Sequence, residues 1–344
     1  MQKTVLYLLL LVILGTGAYF FVFKDKTSMF GESEAAFNIQ DTSDVGEVFL
    51  ARNNGEEITL TRTDSGWVLN KAYKARTSNV NNLLGTLRMQ QAQYPVPENM
   101  HNGVIKSLAG SAVKVELYNR KGENINTFYV GNEAFNYKGT YMLQKGAKTA
   151  YVVQIPGFNG YLTPYYSTDF DDWRDRSVIN LKPEEVKSFS ISYTQEPGNS
   201  FSITQDANGA IVKTDSTNNN PLNKRRANAY LRFFTDIYCE GYLNDIPGMD
   251  STIASVPKFC EMDVVAKNGW KQHIDIYKMP INKRSKNLNT ADDSDYDIDR
   301  FYGVINNYKD TVLLQAYTFD KFFRRGAEFY QADPSDPMSG LSKN

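Results

Sequence analysis

Residues 44–70 read DVGEVFLARNNGEEITLTRTDSGWVLN, and this stretch sets the fold class. Apolar side chains alternate along it at Val48 and Leu50, Ile58 and Leu60, then Trp67 and Leu69. Asn54-Gly55 and Ser65-Gly66 fall between these runs. Period-two alternation buries one face of a strand, and glycine-containing pairs supply the positive φ of a tight hairpin. The reading is a meander of three short strands. Downstream, Val80, Leu83, Leu84 and Leu87 recur at helical spacing and predict a helix over 78–89, with Ser78 as its cap. Pro95-Val96-Pro97 ends that unit. A short helix near 104–108 follows, then strands over 113–118, 125–130, 140–143 and 151–154.

The second half repeats the plan. VKSFSISY at 186–193 corresponds to VGEVFLAR, and SFSITQDANGAIVK corresponds to EEITLTRTDSGWVLN. Leu83 matches Leu231 at an offset of 148, while KVEL matches EMDV and Gly122 matches Gly269 at 147. An insertion near 282–298 interrupts the second copy. Identities are few, but order, element type and spacing agree. The predicted fold is α+β: an N-terminal transmembrane helix followed by two tandem pseudo-repeats of mixed, mainly antiparallel sheet plus helix. The expected segments are an anchor at 1–23, a polar tether at 24–40, repeats at 41–158 and 183–330, a connector at 159–182 and a flexible tail at 331–344.

The anchor rests on residues 4–23, TVLYLLLLVILGTGAYFFVF, which carry no charge. Twenty apolar residues match the ~30 Å hydrocarbon core, whereas the apolar part of a cleaved signal peptide is usually about 7–15 residues long. Thr16 is a mediocre fit before a cut at Ala18, and no cysteine lies nearby for lipoprotein processing. Lys3 faces Lys24 and Lys26 across the span, so charge alone does not orient it. A short N-terminal tail before a large polar body is the layout of a signal anchor. The expected location is the inner membrane, single-pass, with the bulk of the chain extracytoplasmic.

Composition narrows the function. With 38 Lys+Arg against 39 Asp+Glu in 344 residues, the chain lacks the positive charge of a bulk nucleic-acid binder. Two cysteines and two histidines exclude Cys/His-rich metal sites and stapled scaffolds. No Walker glycine loop, G-x-S-x-G or H-E-x-x-H occurs.

Several longer motifs carry a resemblance. The segment G-W-V-L-N-x-x-Y-x-A-R spans 66–76 and Y-P-V-P spans 94–97. Y-V-V-x-I-P-G-F follows at 151–158, D-W-R-D-R at 172–176 and D-R-F-Y-G at 299–303. With the N-terminal span and the opening I-x-D-T-S-D-V, the chain resembles the bacterial family called domain of unknown function 4340. It is most similar to membrane-anchored members from the Bacteroidota. The resemblance implies an envelope protein, in some relatives encoded beside ABC-type transporter components related to gliding motility. It implies no activity, cofactor or catalytic residue.

Five features remain as candidate sites. Asp293, Asp295 and Asp297 alternate in the insertion and are weak candidates for a hard cation, but the EF-hand Gly and Glu positions hold Ile298 and Val304. Lys283, Arg284 and Lys286 are near enough in sequence to neutralise them. Asp172, Trp173, Arg174, Asp175 and Arg176 read as a paired-charge connector holding the halves together. Cys239 and Cys260 are either a disulfide or two buried thiols. His273 is expected opposite Ile274 and Ile276, towards solvent, and His101 in a polar turn; neither reads as half of a dyad. An aromatic-rich stretch (Phe158, Tyr161, Tyr165, Tyr166, Phe170) is either core or binding surface. The expected function is non-catalytic: a membrane-anchored envelope protein with a protein partner and no cofactor. The alternatives are a glycan- or peptidoglycan-binding module and, third, an envelope hydrolase.

Overall fold

A computed structural model describes residues 34–207, 209–214, 221–287 and 295–330. The anchor run 4–23, the first part of the tether, Asp293 and the tail 331–344 lie outside the described residues. The chain divides into two units after Asp175. Both are α+β, with a large antiparallel sheet and few helices.

In the first unit, β1 (Val45–Ala51), β2 (Glu57–Thr63), β3 (Gly66–Leu69) and β4 (Tyr73–Lys74) form the expected meander plus a short extra strand. Helix α1 (Thr77–Met89) buries Val80, Leu83 and Leu87, as the spacing predicts, but Arg76 rather than Ser78 stands at its N-cap. Then come β5 (Gln91–Pro95), helix α2 (Glu98–Ser111), β6 (Val113–Asn119), β7 (Asn124–Glu133), β8 (Thr140–Gln144) and β9 (Tyr151–Gln154). The sheet order is β4-β3-β2-β1-β6-β7-β8-β9-β5. Sequence reading misses β5 because an edge strand ending in Pro95 needs no alternation. It also starts α2 too late, so His101 lies in a helix rather than a turn.

The polar tether is corrected at its end. Phe37 is fully buried and meets Phe128 and Tyr151 edge-on at 5.9 and 6.2 Å. Gln90 Nε2 donates to the Phe37 carbonyl at 2.6 Å, and the Tyr166 hydroxyl donates to Gln90 Oε1 at 2.5 Å. One apolar ring thus recruits a segment whose average composition is polar.

The second unit begins with β10 (Ser177–Ile179), then β11 (Val186–Tyr193), β12 (Phe201–Asp206) and β13 (Gly209–Thr214). Helix α3 (Lys224–Tyr230) continues as a 3₁₀ turn over Leu231–Phe234, so the helix starts earlier than the 231–236 match suggests. Next are β14 (Ile237–Tyr238), β15 (Gly241–Tyr242) and helix α4 (Met249–Ser255). The last strands are β16 (Lys258–Ala266), β17 (Lys271–Pro280), β18 (Tyr296–Ile305) and β19 (Asp310–Gln315). The sheet order is β13-β12-β11-β16-β17-β18-β19-β15, with β10 and β14 paired apart.

The two orders coincide strand for strand apart from β4. The correspondence extends to register. Val48 faces Leu60 and Leu117, and Phe189 faces Ile203 and Val264. The β1–β6 ladder slips between Val45 and Glu47, and the β11–β16 ladder slips between Val186 and Ser188, at the matching position. Gly122 and Gly269 both take positive φ in the following turn.

At the first slip, a Cβ on Gly46 would lie 2.7 Å from the Asn119 carbonyl oxygen and 2.8 Å from the Arg120 Cα. Backbone cannot swing aside as a side chain can. Gly46→Ala should therefore destabilise the first unit by about 1–3 kcal/mol, the range of overpacking changes. Urea melts of the variant check this, and an unchanged midpoint would refute the close approach.

Candidate functional site: a carboxylate-flanked histidine

On the outer face of the second sheet, strand register brings charges together. Asp263 pairs with His273, and Glu261 with Asp275, across the β16–β17 ladder. His273 and Asp275 are two residues apart on β17 and so point to one face. His273 Nδ1 lies 2.7 Å from Asp263 Oδ1, and Nε2 lies 3.3 Å from Asp275 Oδ1. Asp275 is 2% exposed and also meets Lys258 Nζ at 3.0 Å, while Lys258 reaches Glu261 at 2.7 Å. His273 is thus on the outer face, as alternation predicts, but its side chain is only 20% exposed.

Burial opposes a charge on the His273 ring, but the Asp263 bond and the two carboxylates outweigh it and raise its pKa. Burial likewise opposes the Lys258 ammonium, and Glu261 and Asp275 hold it above the usual lysine range. The site is a five-member charge network, with both ring nitrogens facing carboxylates. The Tyr308 ring lies 5.3 Å from the His273 ring. It is held there by a β18–β19 turn in which Asn306, Asn307 and Tyr308 all take positive φ. Three successive left-handed residues store strain that the surroundings must impose. Asn306 Nδ2 and Asn244 Nδ2 bind the Asp310 carboxylate at 2.7 and 2.8 Å and pin that turn.

The first unit shows how different the same position can be. By register, Thr127 and Tyr129 stand where His273 and Asp275 stand. There Tyr129, Tyr141 and Leu143 pack under Val104 and Leu108 of the 14-residue helix α2. The second-unit helix α4 has seven residues and buries none of them. Half-exposed Tyr302 and Val304 occupy the matching face of β18.

The other candidates resolve separately. Arg284 of the basic flank meets Asp297 at 2.8 Å and Asp299 at 3.2 Å and pairs with both. Asp295 belongs to the same loop and its backbone carbonyl accepts from Ile281 N–H at 3.2 Å. Among the described residues no group of His, Cys, Asp and Glu is placed to hold a metal. Cys239 and Cys260 are buried and are not joined in a disulfide; three strands separate β16 from β15, which follows Cys239. Burial raises the Cys260 pKa, away from the nucleophilic thiolate.

The connector is not a separate segment. Trp173 is buried and donates from Nε1 to the Ser167 carbonyl at 2.8 Å. Asp172 accepts from Ser167 Oγ at 2.5 Å, and Asp175 pairs with Lys74 at 2.6 Å. The Arg174 guanidinium lies 4.7 Å from the Tyr73 ring centroid. These four residues are built into the first unit, whereas Arg176 donates to the Glu240 carbonyl at 2.7 Å in the second. Their contacts are those of a chain folding onto its own sheet. In the aromatic stretch, Tyr166 is core, and Phe158 and Tyr161 are exposed.

The fold defines the class: a two-unit α+β protein of antiparallel sheets with matching strand orders. Residues 67–252, more than half of the chain, match the family described as domain of unknown function (DUF4340). The chain belongs to that family. No curated protein and no solved structure matches it. Among the described residues, no helix is long and apolar enough to cross a membrane.

Proposed function

We propose that this chain is a non-catalytic, membrane-anchored envelope protein whose second unit docks a protein partner on the outer face of β16–β18. The observation that carries the reading is the loss of helix cover. The face that α2 packs in the first unit is, in the second, a polar and half-exposed surface under no buried helix residue. Tyr302 and Val304 supply apolar area, and Lys258, Glu261, Asp263 and His273 supply a charged rim, the layout of a protein interface. Matching strand orders, matching ladder slips and similar turn glycines support the two units being copies of one ancestral unit. The second copy then exchanged its internal helix packing for a surface. The uncharged run at 4–23 supports anchoring, with the body outside the cytoplasm and a transporter or gliding-type assembly as the class of partner.

Cross-linked pull-down from native membranes tests the reading. Glu261→Lys with Asp263→Lys changes side chains that are 44% and 55% exposed, so the core is spared. The double variant should lose the captured partner while the chain still resists alkaline extraction. Full capture by the variant would sink the interface, and release under alkali would sink the anchor.

A further inference from the structure

The first unit carries a second feature that the partner face does not use. Between β7 and β8, residues 135–137 form a 3₁₀ turn, and Phe135 and Tyr137 are 77% and 66% exposed. Tyr137 takes a φ of 58°, a left-handed conformation that a bulky residue rarely adopts. The turn is closed by the Tyr137 N–H donating to the Ala134 carbonyl and the Ala134 N–H donating to the Gly139 carbonyl, both at 2.9 Å. Gly139 N–H then donates to the Gly160 carbonyl at 2.9 Å, tying the turn to the loop that carries Phe158 and Tyr161. Gly139 has a φ of 91°, and a Cβ there would meet Val152 and Gln154 at 2.7 and 2.8 Å. The Phe158 ring lies against Gly160 and 6.4 Å from Tyr165. Four solvent-facing aromatic rings are therefore held on two cross-tied loops, and strain is spent to keep Tyr137 outward.

The chemistry of this tip is narrow. No charged side chain occurs between Gln154 and Thr168, and Lys138 is the sole charge over 134–139. A glycan or small ligand is gripped in a groove with converging polar groups, whereas Phe135 and Tyr137 stand largely in solvent. Phe and Tyr rings, with Lys138 among them and Glu133 only at the base of the turn, suit the lipid headgroup boundary, where an apolar ring and a polar edge are both satisfied. Reach agrees. From Phe23 to Glu34 there are 11 residues, which extend at most about 40 Å whatever their conformation. A unit of this length has a radius of gyration of about 14 Å, so its whole surface comes within range of the bilayer. This last step rests on the anchor reading.

We infer that the 135–137 and 158–161 loops form an aromatic tip that inserts into the interface of the lipid bilayer and fixes the orientation of the first unit on the membrane. The test uses the full chain in vesicles of phosphatidylethanolamine and phosphatidylglycerol, with a nitroxide on Phe135→Cys. Asp64→Cys, on the β2–β3 turn, is the aqueous reference; the native cysteines are buried and do not take the label. The label at 135 should be several-fold more accessible to oxygen, relative to an aqueous nickel chelate, than the label at 64. Adding Phe158→Ser and Tyr161→Ser should return it towards the reference. Equal water access at the two positions would overturn the inference, as would shielding at 135 that persists in lipid-free dimers. So would shielding produced by peptidoglycan fragments and not by vesicles. Alkaline extraction of the same sample reads the anchor separately: a chain released by alkali but shielded at 135 keeps the tip and loses the anchor.

Discussion

Truncating Phe189 to Ala should cost the second unit about 3–5 kcal/mol, the usual loss for removing a buried phenyl ring from a core. Phe189 is 1% exposed and stands at the centre of an aromatic cluster. Its ring lies 5.1 Å from Phe234, 5.5 Å from Tyr230, 5.9 Å from Phe201 and 6.3 Å from Phe322. Those neighbours come from β12, from the α3 region and from the C-terminal turns, so collapse into the void would have to move several elements at once. Hydrogen exchange read by mass spectrometry checks both size and place. Protection should fall over 186–214 and 258–315 and stay unchanged over 45–154, because the two units have separate cores. Equal loss in both units would show one cooperative body, and a loss below about 1 kcal/mol would refute the central place of Phe189.

Replacing Asp275 with Asn should cost about 2–3 kcal/mol and flatten a pH dependence near neutrality. Removing one partner of a buried charge pair typically costs about 3–5 kcal/mol, and the partial exposure of Lys258 and His273 reduces it here. The His273 pKa is raised in the folded state, since the Asp263 bond and both carboxylates outweigh burial. The folded chain therefore holds that proton more tightly than the unfolded chain, whose imidazole titrates near ~6.5. The resulting stabilisation is fully present below that value and is lost as pH rises through the raised folded value. Urea melts between pH 5.5 and 8.5 should show the second unit weakening with rising pH, and His273→Gln should remove that slope. A slope of opposite sign, or one that survives His273→Gln, would refute the network.

The docking face and the membrane tip proposed above are different kinds of surface. One is a sheet face carrying charged residues, and the other is a pair of loops carrying exposed aromatic rings. The two tests above read these two proposals independently.

Period-two and period-3.6 patterns made much of the fold legible from residues alone. Val48, Leu50, Ile58 and Leu60 are buried as alternation requires, and the helix over 78–89 lies within one residue of its place. The similar order of strands in the two halves was legible too, because alternation and turn residues mark each element where it stands. The sequence also determined the family. What it left undecided needed contacts between distant residues. Phe37 looked like part of a polar tether because local composition says nothing of a core built by strands some 90 residues later. The charged stretch around Trp173 read as a connector between the halves because the partners of Asp175 and Arg174, Lys74 and Tyr73, lie about 100 residues before it. His273 looked solvated because alternation gives a face but not its neighbours. Only the β16–β17 register sets Asp263 opposite it, and only a strained turn sets Tyr308 beside it. Period and composition are local properties and can be read along a chain; register, burial of single rings and charge clusters are set by pairings across it, and those exist only in the folded protein.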